Sequence, residues 1–266
     1  MLYALAIAAL AAVPAQGGQL KLTNVRLTVG ELGPTRANAK FLPGDALHLR
    51  FDINGLTIEA NGDAKFKMET SVTDKTGKVI FKRDPVELLQ FTPLGGNTIP
   101  AAALILIGLD QDPGDLVLSV TVEDSKTKAK DTATVKFEVT KRDFGIVAVR
   151  TTADIQGNLP TPNIGTMGQT IVVWYTVASF ERDPKTKQPK IEFQYQYLDE
   201  KGAPVLAVPH KHTQDSGVDE KDGQIALRFP LFLNRPGKFT VQITATDKVS
   251  NKKSTYELPV TILPPN

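Results

Sequence analysis

The chain has 266 residues, 41% of them hydrophobic, with 31 Lys and Arg against 29 Asp and Glu, a net charge of +2 and no cysteine. That length admits one large domain or two small ones. The interleaved charge excludes a single-sign field for nucleic acid or a membrane surface, and the missing thiol excludes disulfides, thiolate nucleophiles and lipid-modified cysteine.

The first element is the uncharged apolar run LYALAIAALAA at positions 2–12, followed by Val13-Pro14-Ala15. It has the length of a secretory signal and is too short to cross a bilayer. A signal peptide over 1–15, cut after Ala15, is therefore expected, although no Lys or Arg precedes the run. The mature chain is then exported to the periplasm, the cell surface or beyond. No later stretch approaches 18 continuous apolar residues, so no membrane insertion of the mature chain is expected.

Period-two patterns follow. In PGDALHLRFDI (43–53), Leu47, Leu49, Phe51 and Ile53 take one face, while His48 and Arg50 take the outward one. KFKMETSVTDKTGKV (65–79) carries the hairpin-type loop Asp74-Lys75-Thr76-Gly77. AAALILIGL (101–109) is apolar on both faces. That predicts either an extra layer, such as DPVELLQF (84–91) folded back over it, or an exposed patch. In PGDLVLSVTVED (113–124), Leu116, Leu118, Val120 and Val122 alternate with polar neighbours after a Pro-Gly that fits the centre of a type II turn.

The second half repeats these blocks in the same order. PGDALHLRFDI falls on MGQTIVVWYTV (167–177), where Ile171, Val173, Tyr175 and Val177 form the inward row. KFKMETSVTDKTGKV falls on KIEFQYQYLDEKGAP (190–204), loop on loop. Pro113-Gly114 and Asp124 fall on Pro236-Gly237 and Asp247, 123 residues on. This is a domain duplication. No helical period of useful length appears after the signal. The expected fold is all-β: two tandem immunoglobulin-like β-sandwiches of about seven strands each, over 19–141 and 142–264. The junction TKRD (140–143) is short and free of Gly and Pro, which predicts limited reorientation.

PGDLVLSVTVED and PGKFTVQITATD resemble the Pro-Gly entry, alternating strand and closing Asp of tandem immunoglobulin-like modules of exported bacterial proteins, including fibronectin III-like and cadherin-like repeats. The resemblance covers nearly the whole mature chain. It implies a non-catalytic binding or structural module that contacts another protein or a cell-surface glycan at the envelope. Modules of this kind also serve as proteinase inhibitors, accessory chaperones and carbohydrate binders. The clustered acidic motifs of cadherins are absent, so calcium is not carried over.

Candidate chemistry is sparse. PHKH (209–212) puts His210 and His212 on one face if it is a strand, but two imidazoles are too few for a closed metal site, and a polar loop is the simpler expectation. DQDPGD (110–115) lacks the Gly and distal Glu of a calcium loop and is taken as a turn. No nucleophile elbow, phosphate loop or zinc-protease motif occurs, so no enzyme activity and no cofactor are expected. The lone tryptophan, Trp174, falls on the outward register with Val172, opposite Arg50 of the first copy. Together they would make a small apolar contact patch, unless Arg228 of a neighbouring strand stacks on the ring.

Overall fold

The computed structural model describes residues 19–265, so the expected signal peptide lies outside the described residues. The described chain is all-β. The first sandwich holds β1 (Lys21–Thr28), β2 (Lys40–Phe41), β3 (Ala46–Asn54), β4 (Asp63–Asp74), β5 (Val79–Phe91), β6 (Thr98–Leu106), β7 (Gly114–Asp124) and β8 (Lys130–Val139). The second holds β9 (Gly145–Thr152), β10 (Ile164–Thr166), β11 (Thr170–Ala178), β12 (Ile191–Asp199), β13 (His210–Gln214), β14 (Gln224–Phe232), β15 (Gly237–Asp247) and β16 (Lys253–Leu263).

Each sandwich has a three-stranded sheet facing a five-stranded one. The orders are β1-β3-β6 and β2-β8-β7-β4-β5, then β9-β11-β14 and β10-β16-β15-β12-β13. The two copies thus share one topology, strand for strand. There are eight strands per copy rather than the expected seven. The extra ones, β2 and β10, have two and three residues and pair in parallel with the last strand of their copy. Strands this short carry no readable alternation.

The inward rows form the cores. Leu47, Leu49, Phe51, Ile53, Leu118, Val120 and Val122 are buried in the first sandwich. Ile171, Val173, Tyr175, Val177, Val241, Ile243 and Ala245 are buried in the second. The hairpin loops after β4 and β12 close as expected, with Gly77 at φ 86° and Gly202 at φ 79°. The Pro-Gly pairs behave differently. Gly114 and Gly237 are the first ladder residues of β7 and β15, opposite Val139 and Ile262. Each pair opens a strand instead of centring a turn, a position where proline's missing N–H costs no ladder bond. DPVELLQF lies within β5 and pairs with β4 instead of folding over β6. β6 accordingly exposes Leu104 and Leu106.

The closing aspartates are wholly buried. Asp124 accepts N–H groups from Lys126 at 2.8 Å, Thr127 at 2.9 Å and Thr57 at 2.6 Å. Asp247 accepts from Val249 N at 2.9 Å, Glu181 N at 2.8 Å and Ser250 Oγ at 2.7 Å. Each carboxylate shapes the last hairpin and ties it to the loop leaving the opposite sheet. The residue that recurs in sequence is therefore a cap of loop backbone.

A third buried carboxylate joins the sandwiches. Asp45 Oδ2 receives Arg36 at 2.8 Å, while Oδ1 receives the N–H of Ala46 at 2.8 Å and of Ala148 at 2.8 Å. Ala148 belongs to the second copy and sits in a bulge of β9 at φ 51°, the counterpart of the β1 bulge at Asn24 with φ 50°. Ala at positive φ costs about 1–2 kcal/mol. The bulge turns its N–H out to Asp45. Val29 of the first copy packs against the second core, and a side chain at Gly30 would strike Arg150 Cβ at 2.8 Å.

His48, outward on β3, lies in this junction. Burial, then the Arg150 charge, lowers its pKa to about 4 from an ordinary 6.5. The folded protein holds it neutral where the unfolded chain protonates. Stability is thus expected to fall as the pH drops from 6.5 towards 4, by on the order of 2–3 kcal/mol from this group. Urea titrations across that range should show the slope, and His48→Gln should flatten it. An equal slope in the variant would remove the assignment.

Candidate functional site

The five-stranded and three-stranded sheets of each copy are open along one side, where β5 faces β6 and β13 faces β14. Strand length decides how open. β5 runs 13 residues and β13 only five. The chain before β13, KGAPVLAVP (201–209), forms no long strand and exposes Val205, Leu206 and Val208. The gap between β5 and β6 is about 160 Å³. Its counterpart in the second sandwich is a cleft of about 340 Å³ that runs into a shallower hollow of about 480 Å³, the two sharing Tyr197 and Pro230.

The β14 wall of the hollow is larger and more aromatic than the matching strand of the first copy. On β6 the inward residues Ala101 and Ala103 pair with Phe51 and Leu49; on β14 Leu227 and Phe229 pair with Tyr175 and Val173. The inward residues of β14, Ile225, Leu227, Phe229 and Leu231, stay only half-buried. Phe229 contacts Tyr195 edge-on at 5.0 Å, and Tyr195 shares a 2.6 Å hydroxyl contact with buried Tyr175. Phe232, 59% exposed, and Phe239 stand at the mouth.

Two guanidinium groups rim this surface. Arg235 stacks on Phe239 and Arg228 on Trp174, each 4.9 Å from the ring centre. Among the described residues neither forms an ion pair. Their fork donors remain free for a carboxylate, held in place by the rings beneath. Pro230 interrupts the N–H row of β14, which blunts that edge against strand addition. The site therefore offers apolar depth and a cationic rim in place of a backbone ladder.

The sequence candidates fall around this surface unequally. PHKH supplies the start of an edge strand, not the polar loop expected: His212 stacks on Phe193 and His210 tilts over Tyr195, so both line the hollow. A strand with both faces exposed has no apolar alternation to betray it. Among the described residues no group of three or more His, Cys, Asp or Glu could hold a metal ion.

Trp174 and Val172 do not form the open patch expected of them. Val172 is 4% exposed and Trp174 half-buried. The Trp174 indole N–H donates to Thr152 Oγ1 at 2.8 Å, and guanidiniums of Arg150 and Arg228 each lie 4.9 Å from the ring. The loop after β9 crosses it so closely that a side chain at Gly157 would meet Cζ2 at 3.0 Å. The sequence pattern does not announce the cleft because its walls, β14 and the 205–209 segment, lie outside the blocks that repeat between the two copies. The one available signal was the pair of large residues at 227 and 229.

No protein-family profile matches this chain, and no curated protein matches it. Among solved structures, it is similar to a Pseudomonas fluorescens alkylpurine DNA glycosylase, AlkC, bound to DNA containing an abasic site analog, at 18% identity and TM-score 0.29. That likeness covers 47% of this chain and 31% of the glycosylase chain, so the chain spans under a third of its length. It is also similar to the C-terminal domain of the Streptococcus agalactiae AgI/II polypeptide BspA, at 12% identity and TM-score 0.29, covering 91% of this chain and all of that one. No helix among the described residues is long and apolar enough to cross a membrane.

Proposed function

We propose that this chain is a non-catalytic binding module, built of two immunoglobulin-like sandwiches and exported to the cell envelope, that captures a segment of another protein in the cleft of its second sandwich. The segment carries a large apolar side chain with an acidic residue beside it. The observation that carries this reading is the 340 Å³ cleft walled by Tyr197, Leu231, Phe232 and Phe239, with Arg235, which forms no ion pair among the described residues, at its mouth. Apolar depth supplies affinity and the guanidinium fork selects a carboxylate. The copy-to-copy divergence favours the same place. Both sandwiches share one topology, and only the second opens its side this far.

The test is to pan a random peptide display library on residues 19–266. Selected peptides should share a large apolar residue next to Asp or Glu. Phe232→Ala combined with Arg235→Ala should weaken them by at least about tenfold, the loss of roughly 1.4 kcal/mol. Both side chains are at the surface, so the melting temperature should hold. Peptides that bind wild type and the double variant equally would overturn the proposal.

A further inference from the structure

β5 is the other exposed apolar surface; of its residues only Leu88 packs against the first core. Among the described residues it pairs only with β4, leaving its second edge free, and 12 of its 13 residues are exposed. Val79, Phe81, Val86, Leu89 and Phe91 are among the exposed large apolar residues. A long apolar strand with a free edge is a template for another strand. The question is whose.

The strand's own pattern answers it. Its ladder with β4 slips between Met68 and Thr70, so Asp84 and Pro85 bulge at its middle. Phe81, Arg83, Val86 and Leu88 lie opposite Val72, Thr70, Met68 and Phe66, residues of the core-facing row; Lys82 and Glu87 lie opposite Ser71 and Lys67 on the solvent face. Now lay a second β5 antiparallel along the free edge, bulge against bulge, about a twofold axis normal to the sheet. Arg83 then faces the second copy's Val86, Lys82 faces the second copy's Glu87, and Phe81 faces the second copy's Leu88. Faces match from Phe81 to Leu88 because both bulges shift the parity at the same point; a second slip of the ladder between Val72 and Thr73, at Ile80, ends the matched stretch. Opposite charges meet on the solvent face twice over, and apolar residues meet on the core side twice over.

We propose that β5 is a homodimerisation edge, joining two copies of this chain through a continuous sheet β4-β5-β5-β4. A foreign straight strand would break register at the Asp84–Pro85 bulge, whereas a second copy brings the matching bulge. The contact is isologous, so it closes at two. The equivalent edge in the second sandwich is five residues long and reads HKHTQ. It offers no such self-complementary pattern and no route to open-ended chains.

Sedimentation equilibrium of residues 19–266 tests this with charge reversals at exposed positions. Wild type should dimerise. Lys82→Glu and Glu87→Lys should each raise the dissociation constant by at least about tenfold, since each puts two like-charge pairs across the axis. The double variant should recover most of the loss. Lys82 also pairs with Glu69 of its own chain at 2.9 Å. A purely internal effect would leave the double variant as weak as Lys82→Glu alone, and that result overturns the proposal. So does a wild type that stays monomeric at millimolar concentration. The chain has no cysteine, so Phe81→Cys with Leu88→Cys gives an independent check. Oxidation should yield a covalent dimer, and a monomer with free thiols would count against the register.

Discussion

Replacing Asp45 by alanine is expected to cost about 3–5 kcal/mol of unfolding free energy. Three donors lose their acceptor at once: the Arg36 guanidinium, the Ala46 N–H and the Ala148 N–H. Arg36 would keep only the Lys40 carbonyl at 3.0 Å and the face of Phe41 at 4.1 Å. A cation left beside a site built for a carboxylate is the costlier half of a broken buried pair. The loss also spans both sandwiches, because Ala148 lies in β9. Amide exchange at Ala148 should accelerate in the variant even where the first core stays protected. Gln169, the residue at the matching position of the second copy, is the control. It is exposed and its side chain accepts only the nearby Thr166 N–H at 2.7 Å. Gln169→Ala should cost under about 1 kcal/mol. Urea unfolding of the three proteins checks the order, and a loss below about 1 kcal/mol for Asp45→Ala would refute it.

The junction also marks what could be read without coordinates. Leu47, Leu49, Phe51 and Ile53 announced their face by alternation, and the structure buries all four. The same alternation placed His48 outward but could not say what lies outside. A period of two separates the faces of a sheet; it does not reveal that a neighbouring sandwich covers one of them. Asp124 and Asp247 stood out because they recur. Their task, holding loop N–H groups contributed from 66 and 67 residues away in sequence, depends on loops whose paths no local pattern encodes. The cleft was least legible. It arises where β13 is shorter than β5, and the shared blocks align the hairpin loops on either side of that difference without exposing it. Large residues at 227 and 229 look like ordinary core until the strand opposite them, β13, is found to be only five residues long.

The closing aspartates carry the last large expectation. Asp247→Ala should destabilise the protein by about 3–5 kcal/mol, because a fully buried carboxylate that serves three donors leaves each unsatisfied when it goes. The Glu181 N–H is the one that matters for architecture: it comes from the loop after β11 and ties that sheet to the hairpin between β15 and β16. Asp124→Ala should cost a similar amount through the Thr57 N–H. Asp124 adds a pH signature. Burial alone would raise its carboxyl pKa, but the N–H donors of Thr127, Thr57 and Lys126 outweigh burial, and the net shift is below 3.8. A carboxylate lowered in the folded state binds its proton later than the unfolded chain does. Its contribution is therefore complete above the ordinary carboxylate range and is lost as the pH falls below about 4. That window lies beneath the one in which His48 acts. Wild type should lose stability in two successive stages on acidification, and Asp124→Asn should make the lower stage shallower while leaving the upper one unchanged. A variant that keeps the lower stage as steep would move the acid lability to another carboxylate.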